Sequence, residues 1–198
     1  MINEAMIRED WSAKGFTLIE LLITISLMGM IILAITAIDL GSRRFLNTAN
    51  YEAQVQSEAS PALERMVKEI TLAYGQSDNP GINITGSNQI TIRRLDDPPP
   101  TYADFDDDPR LRYTFNSSNF YIIRETSSSC PGGVCSWNPA EVIARNIESG
   151  AFSQGTDGVV GINMTARRNA QATPPPDTFE NPRVTLETSV SPRSTSLN

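Results

Sequence analysis

Residues Phe16–Ile38 read FTLIELLITISLMGMIILAITAI, a run of 23 residues in which Glu20 is the single charged side chain. As an α-helix this run is about 34 Å long, which is enough to cross a hydrocarbon core of about 30 Å. Asp39 follows directly, and Arg43 and Arg44 come shortly after it, where the chain would return to water. The run therefore predicts a membrane-spanning helix, and the rest of the chain must build its own core.

Two simpler interpretations of the apolar run are a secretory signal peptide and a plain single-pass anchor. A signal peptide has an apolar stretch of about 7–15 residues before a small-residue cleavage site. This run is longer, and Ala34–Ala37 is a poor site. A plain anchor fits the length but not Glu20, because a carboxylate in a lipid-exposed helix costs several kcal/mol unless it is neutralised or paired.

A chain beginning at Phe16 would give that carboxylate a partner. Its new α-amino group would be a cation at the same level of the membrane, so Glu20 of one subunit could pair with the amine of a neighbour. This arrangement requires cleavage directly before Phe16, and Lys14-Gly15 supplies a cationic, unhindered site there.

Residues 14–20 read KGFTLIE and resemble the prepilin signature of type IV pilins and type II secretion pseudopilins. The resemblance implies that a prepilin peptidase cleaves after Gly15 and methylates the amine of Phe16. It also implies that Glu20 fixes subunit registration in a fibre.

The predicted organisation is a leader (1–15), a transmembrane assembly helix (16–40), an amphipathic continuation of the helix (41–75) and an exported β-rich body (76–198). Within the continuation, apolar side chains recur at helical spacing in a single stripe: Val55, Ala59, Leu63, Met66, Val67, Ile70 and Tyr74. Pro61 interrupts this stretch, so we expect a kink or a restart with Ser60 as N-cap. Gly75 is the expected helix end.

Short runs rich in β-forming residues follow the helix: Gln89–Arg94, Leu111–Phe115, Phe120–Glu125, Glu141–Ala144, Val159–Thr165 and Arg183–Val190. The second and third of these runs flank Asn116-Ser117-Ser118-Asn119 and read as a hairpin. The predicted fold class is therefore α+β, a long N-terminal helix packed on an antiparallel sheet.

The composition disfavours an exported enzyme and nucleic-acid binding by the body. The chain has no histidine, which removes Ser-His and Cys-His catalysis, and it contains no P-loop or dinucleotide-binding glycine loop. Its net charge is −7 and becomes −6 once residues 1–15, with three acidic and two basic side chains, are removed. An acidic body lacks the basic face that phosphate backbones need.

Two smaller features of the body have candidate roles. Cys130 and Cys135 enclose Pro-Gly-Gly-Val, and in an oxidising exported compartment we expect them to form a disulfide; a redox-active pair is the alternative. Asp104, Asp106 and Asp108 belong to an acidic cluster, which we expect to be a solvated loop facing nearby arginines. Calcium is the weaker alternative, and no other cofactor is expected.

The layout of helix first and sheet second also resembles pilins, with patches most similar to W-type minor pilins and the J-type minor pseudopilin. The resemblance implies a minor subunit of a type IV pilus or a type II secretion pseudopilus. Its partners would be other pilins or pseudopilins, the prepilin peptidase and the inner membrane, with the body periplasmic or extracellular. The competing hypothesis is a stand-alone, membrane-anchored binding domain that never assembles.

Overall fold

The computed structural model describes residues 15–75, 81–94, 108–155, 158–172 and 178–192. One long helix, α1 (Leu18–Thr71), is followed by strands whose bounds are β1 (Ile82–Thr85), β2 (Gln89–Arg93), β3 (Arg110–Asn116), β4 (Tyr121–Ser127), β5 (Glu141–Arg145), β6 (Ile147–Gln154), β7 (Val160–Arg167) and β8 (Arg183–Val190). This α+β architecture confirms the predicted fold class. The chain divides into two compact units, one ending at Arg44 and one beginning at Phe45.

The part of α1 that belongs to the second unit buries one face. The fully or almost fully buried residues of this face are Val55, Ala59, Ala62, Met66, Glu69 and Ile70. Leu63 and Val67 are partly buried beside them. The predicted apolar stripe is thus confirmed over most of its length. The buried face also contains one charged residue, Glu69.

The strands form two antiparallel sheets, a division that the sequence did not predict. The first has five strands in the order β1-β2-β3-β4-β5, and the second has three in the order β6-β7-β8. The predicted hairpin is confirmed as β3 and β4, which pair from Arg110↔Ser127 to Asn116↔Tyr121. Strands β1 and β6 were not predicted.

Strand β6 is where the two sheets meet. The rings of Phe115 on β3 and Phe152 on β6 lie 4.7 Å apart. Gly150 lies directly against the ring of Phe115, so a side chain at position 150 would collide with it. The backbone N–H of Phe152 also donates to the carbonyl of Ser87, at 2.6 Å. These contacts explain a strand whose own sequence, IESGAFSQ, has weak β-propensity.

The predicted restart of α1 at Pro61 and its predicted end at Gly75 are wrong, while the alternative of a kink at Pro61 stays a prediction. The helix is continuous through Pro61, with no restart and no N-cap at Ser60. A proline removes one backbone bond, and the buried neighbours on both sides of Pro61 hold the helix against the sheets.

The helix also ends at Thr71 rather than continuing to Gly75. The backbone of Tyr74 donates instead to the carbonyl of Arg93, at 3.0 Å, and Ala73 forms a bridge with Arg94. Pairing with the end of β2 therefore replaces the last helical turn.

Candidate functional site

The first stretch of α1 has no cover within the part of the chain that the structure describes. Residues 15–47 are all exposed, including Phe16 at 84% and Leu33 at 71%. Among the described residues, α1 is the one helix long and apolar enough to cross a membrane. An uncovered apolar surface of this size is stable in lipid and is not stable in water.

The start of α1 is closed by a reciprocal cap between Thr17 and Glu20. The Thr17 N–H and the Thr17 hydroxyl both donate to Oε2 of Glu20, at 2.9 and 2.8 Å, and the Glu20 N–H donates back to Thr17 Oγ1 at 3.3 Å. This is a capping box, with threonine at the N-cap and glutamate three residues later. The Glu20 carboxylate therefore already has two donors within its own chain.

Sequence reasoning missed the part played by Thr17. The signal was present, because threonine followed by glutamate three residues later, ahead of an apolar run, is the standard capping-box pattern. The structure thus gives Glu20 a local role in addition to the intersubunit role implied by the resemblance.

Hydroxyl side chains inside the apolar stretch bond to its own backbone. Thr24 donates to the carbonyl of Glu20 at 2.6 Å, and Ser26 and Thr36 likewise donate to carbonyls four residues earlier, at 2.9 and 2.5 Å. In lipid these hydroxyls would have no water, so self-bonding removes their desolvation cost. At the far end, Arg43 pairs with Asp39 at 2.9 Å, which suits the return to water.

Gly15 and Phe16 lie outside regular secondary structure, just before Thr17 and the helix. The leader before Gly15 falls outside the described residues. Cleavage between Gly15 and Phe16, methylation of Phe16 and registration by Glu20 stay predictions, since they concern processing and a second subunit.

The body has its own buried polar cluster, centred on Glu69 of α1. The phenol of Tyr113 donates to the Glu69 carboxylate, and Arg124 donates to both carboxylate oxygens, at 3.3 and 3.1 Å. Burial raises the pKa of the Tyr113 phenol, and the hydrogen bond to Glu69 raises it further. Burial alone would lower the pKa of Arg124, but the hydrogen bond and the charge of Glu69, together with Tyr113, outweigh burial and raise that pKa. Helix and sheet are thus joined through charged groups that satisfy one another.

A second ion-pair cluster lies at the β6–β7–β8 sheet. Glu148 accepts from Arg167 at 2.7 Å and from Arg183 at 3.0 and 3.1 Å. Arg167 is 1% exposed and also donates to the carbonyl of Asn181 at 3.3 Å, so its buried guanidinium has acceptors on both sides. Burial on its own would raise the pKa of Glu148, but the two arginines lower it below the ordinary value of 4.5.

The two smaller sequence features have different outcomes. Cys130 and Cys135 form a disulfide in the structure, with Cα atoms 4.1 Å apart.

Of the acidic cluster, Asp104 and Asp106 lie outside the described residues. Asp108 is buried and lies 3.6 Å from the guanidinium of Arg93, so the expectation that it is solvated is wrong. No group of three or more potential metal-ligating side chains occurs among the residues that the structure describes.

A family model for the prokaryotic N-terminal methylation motif matches residues 12–36. No curated protein and no solved structure matches the chain. The match supports the prepilin-type family for the N-terminal segment, and with the apolar helix it supports a membrane-anchored protein with a C-terminal body. It points to a structural subunit rather than an enzyme.

Proposed function

We propose that this protein is a minor pilin or pseudopilin, a structural subunit of a type IV pilus or a type II secretion pseudopilus. A prepilin peptidase removes residues 1–15 and methylates Phe16. The helix is held in the inner membrane until assembly, and the body is exported to the periplasm or the cell surface. Other pilins or pseudopilins are its partners.

The observation that carries the proposal is the uncovered apolar stretch of α1 with a carboxylate at its beginning. A plain anchor needs the apolar surface but not the carboxylate. In an assembled fibre the exposed surface would pack on neighbouring helices. Glu20 would then exchange its bonds with Thr17 for an ion pair with the Phe16 amine of the next subunit, in surroundings of low dielectric. The methylation-motif match covers this same segment.

The first test measures processing. N-terminal mass spectrometry of protein purified from a host with its prepilin peptidase should give a chain that starts at methylated Phe16. The same host lacking the peptidase should yield a chain that retains residues 1–15. An unprocessed chain in the peptidase-containing host would instead support the stand-alone anchored domain.

The second test measures assembly. Changing Glu20→Ala should reduce the amount of this subunit in sheared fibres by about tenfold or more, while the amount in the membrane stays unchanged. Thr17→Ala is the matched control for the cap, because it removes the side-chain cap but leaves the carboxylate. Normal incorporation of Glu20→Ala would rule out registration by Glu20.

A further inference from the structure

The five-stranded sheet carries a cleft on the face that points away from the core. Side chains alternate along β3, so that Leu111 and Tyr113 are buried in the core while Arg110 lies on the other face. The cleft has a volume of about 350 Å³, which is within the usual range for small-ligand pockets. Its lining includes Asn83, Thr91, Arg93, Arg110 and Trp137.

Two arginines face each other across the floor of this cleft. Arg93 on β2 and Arg110 on β3 are direct partners in the strand register. Like charges at opposite positions of neighbouring strands destabilise a sheet. Arg93 has partners of its own, with Asp108 at 3.6 Å and the carbonyl of Tyr74 at 3.1 Å. The Nε of Arg110 is buried and meets no hydrogen-bond acceptor among the described residues.

The wall of the cleft is a fixed aromatic ring. The guanidinium of Arg112 lies 4.2 Å from the centre of the Trp137 ring and also pairs with Glu125 at 2.7 Å. Next to Trp137, Asn138 donates from its backbone and its side chain to Thr126, at 2.8 and 2.9 Å. The disulfide closes the preceding loop, and Cys135 lines the cleft as well. This loop is therefore held over the sheet by several independent contacts.

We propose that this cleft binds a small ligand carrying a carboxylate or phosphate group. The anion would lie between Arg93 and Arg110, accept the Arg110 Nε–H and relieve the repulsion between the two cations. The amide of Asn83 and the hydroxyl of Thr91 supply neutral hydrogen bonds. Trp137 offers an apolar surface for the body of the ligand, such as a sugar ring. This site would work whether or not the chain assembles into a fibre.

The test uses Trp137 as its own reporter. The chain has two tryptophans, and the other one, Trp11, is in the leader. Full-length Trp11→Phe protein in a non-ionic detergent would be titrated with sodium phosphate and, separately, with sodium glucuronate. Sodium chloride at the same ionic strength is the reference. We expect a saturable change in fluorescence with at least one of the two anions, and the arm that responds identifies the phosphate or the carboxylate class.

Three variants in the Trp11→Phe background locate the binding. Arg110→Gln should weaken it by about tenfold or more, because a charge-assisted hydrogen bond is lost. Asn83→Leu leaves both arginines in place and fills the cleft from an exposed position on β1, so it should weaken binding even if Arg110→Gln folds poorly. Arg145→Gln changes an exposed arginine on β5 outside the cleft and should bind like the parent.

Two outcomes would overturn the proposal. One is a fluorescence change that merely follows ionic strength, with no saturation by either anion. The residues that join β2 to β3 carry five aspartates besides Asp108 in the sequence; a cleft already filled by one of these would give this result. The other is saturable binding that both Arg110→Gln and Asn83→Leu retain at parental strength.

Discussion

The two stretches of α1, residues 18–44 and 45–71, have the same backbone and opposite surroundings. From Leu21 to Ile38 the first carries no charged side chain on any face, and none of its side chains is buried among the residues described. The second carries a single apolar stripe, and Met66 and Ile70 within it have no exposed surface. The helical backbone alone therefore does not explain what stabilises either stretch. The second stretch is stabilised by the two sheets that cover it, whereas the first is uncovered among the described residues and its apolar surface suits lipid.

The two glutamates that matter in this helix show the same contrast. Glu20 is satisfied by Thr17, three residues away in sequence. Glu69 is satisfied by Tyr113 and Arg124, which are 44 and 55 residues away. A carboxylate with local donors can leave them for another subunit without disturbing the fold. A carboxylate with distant donors is part of the fold itself.

The largest effect should come from removing Glu69. Glu69→Ala leaves Arg124 half-paired and Tyr113 without its acceptor, and breaking a buried pair in this way costs about 3–5 kcal/mol. Urea unfolding in detergent, followed by the near-ultraviolet signal of the body, measures this. Glu64→Ala changes an exposed glutamate of the same helix and should stay within about 0.5 kcal/mol of the parent. If Glu69→Ala lowers the free energy of unfolding by less than about 1 kcal/mol, Glu69 is not the structural carboxylate described above.

Truncating one isoleucine in each stretch tests whether the second stretch is packed against the sheets and the first is not. Ile70 has no exposed surface, so Ile70→Ala should lower the free energy of unfolding of the body by about 2–5 kcal/mol. Ile31 is 58% exposed, and Ile31→Ala should leave the unfolding of the body unchanged. The same urea titration measures both variants. Equal losses would mean that the two stretches do not differ in the way described.

Glu148 should contribute to the pH dependence of the body, alongside Glu141, whose pKa is also lowered by its arginine partners. Because its pKa is lower in the folded than in the unfolded state, its contribution is present above the unfolded value of about 4.5 and is lost as pH falls through the folded value. At pH 7, Glu148→Gln should cost about 1.5–3 kcal/mol, as for hydrogen bonds to charged groups. Thermal unfolding from pH 7 down to pH 3 should bring parent and variant together. A constant gap would contradict this assignment.

The smallest effect should come from the cap. Thr17→Val keeps the shape of the side chain but removes the hydroxyl that bonds to Glu20, at a cost of about 1 kcal/mol that is confined to the first turn. Hydrogen exchange of the amides of Glu20 and Leu21, which donate to the hydroxyl and the carbonyl of Thr17, should accelerate about fivefold. Thr24→Val, whose hydroxyl bonds only to carbonyls within the helix, should leave these amides unchanged. Faster exchange throughout the apolar stretch would show that the cap is not local.

The sequence predicted those elements that carry their own periodicity. The apolar run, the stripe from Val55 to Ile70 and the β3–β4 hairpin are each visible in fewer than twenty-five consecutive residues. Strand β6 was missed because Gly150 and its serines read as a break. Glycine is needed there by the ring of Phe115, which comes from a distant strand. The end of α1 was also predicted wrongly because of a residue distant in sequence. The backbone N–H of Tyr74 donates to the carbonyl of Arg93 instead of continuing the helix.

The apolar first stretch of α1 and the carboxylate near its start could be predicted almost completely, because they are adjacent in sequence and the methylation-motif match covers them. Cleavage before Phe16 and registration by Glu20 stay predictions. Only the capping role of Thr17 was overlooked. The cleft could not be predicted, because its arginines come from different strands and its tryptophan from a loop. Asp108 was misjudged too, since it looks solvated in an acidic run and becomes buried beside Arg93.

The sequence by itself determined that the protein has a lipid-compatible helix with a carboxylate near its start, followed by a β-rich body. These properties depend on local composition and spacing, and nearby residues alone decide them. The tertiary structure decided which polar groups are buried together, where the helix stops, and that Arg93 faces Arg110. These properties depend on strand register and on the meeting of two sheets, which bring together residues far apart along the chain.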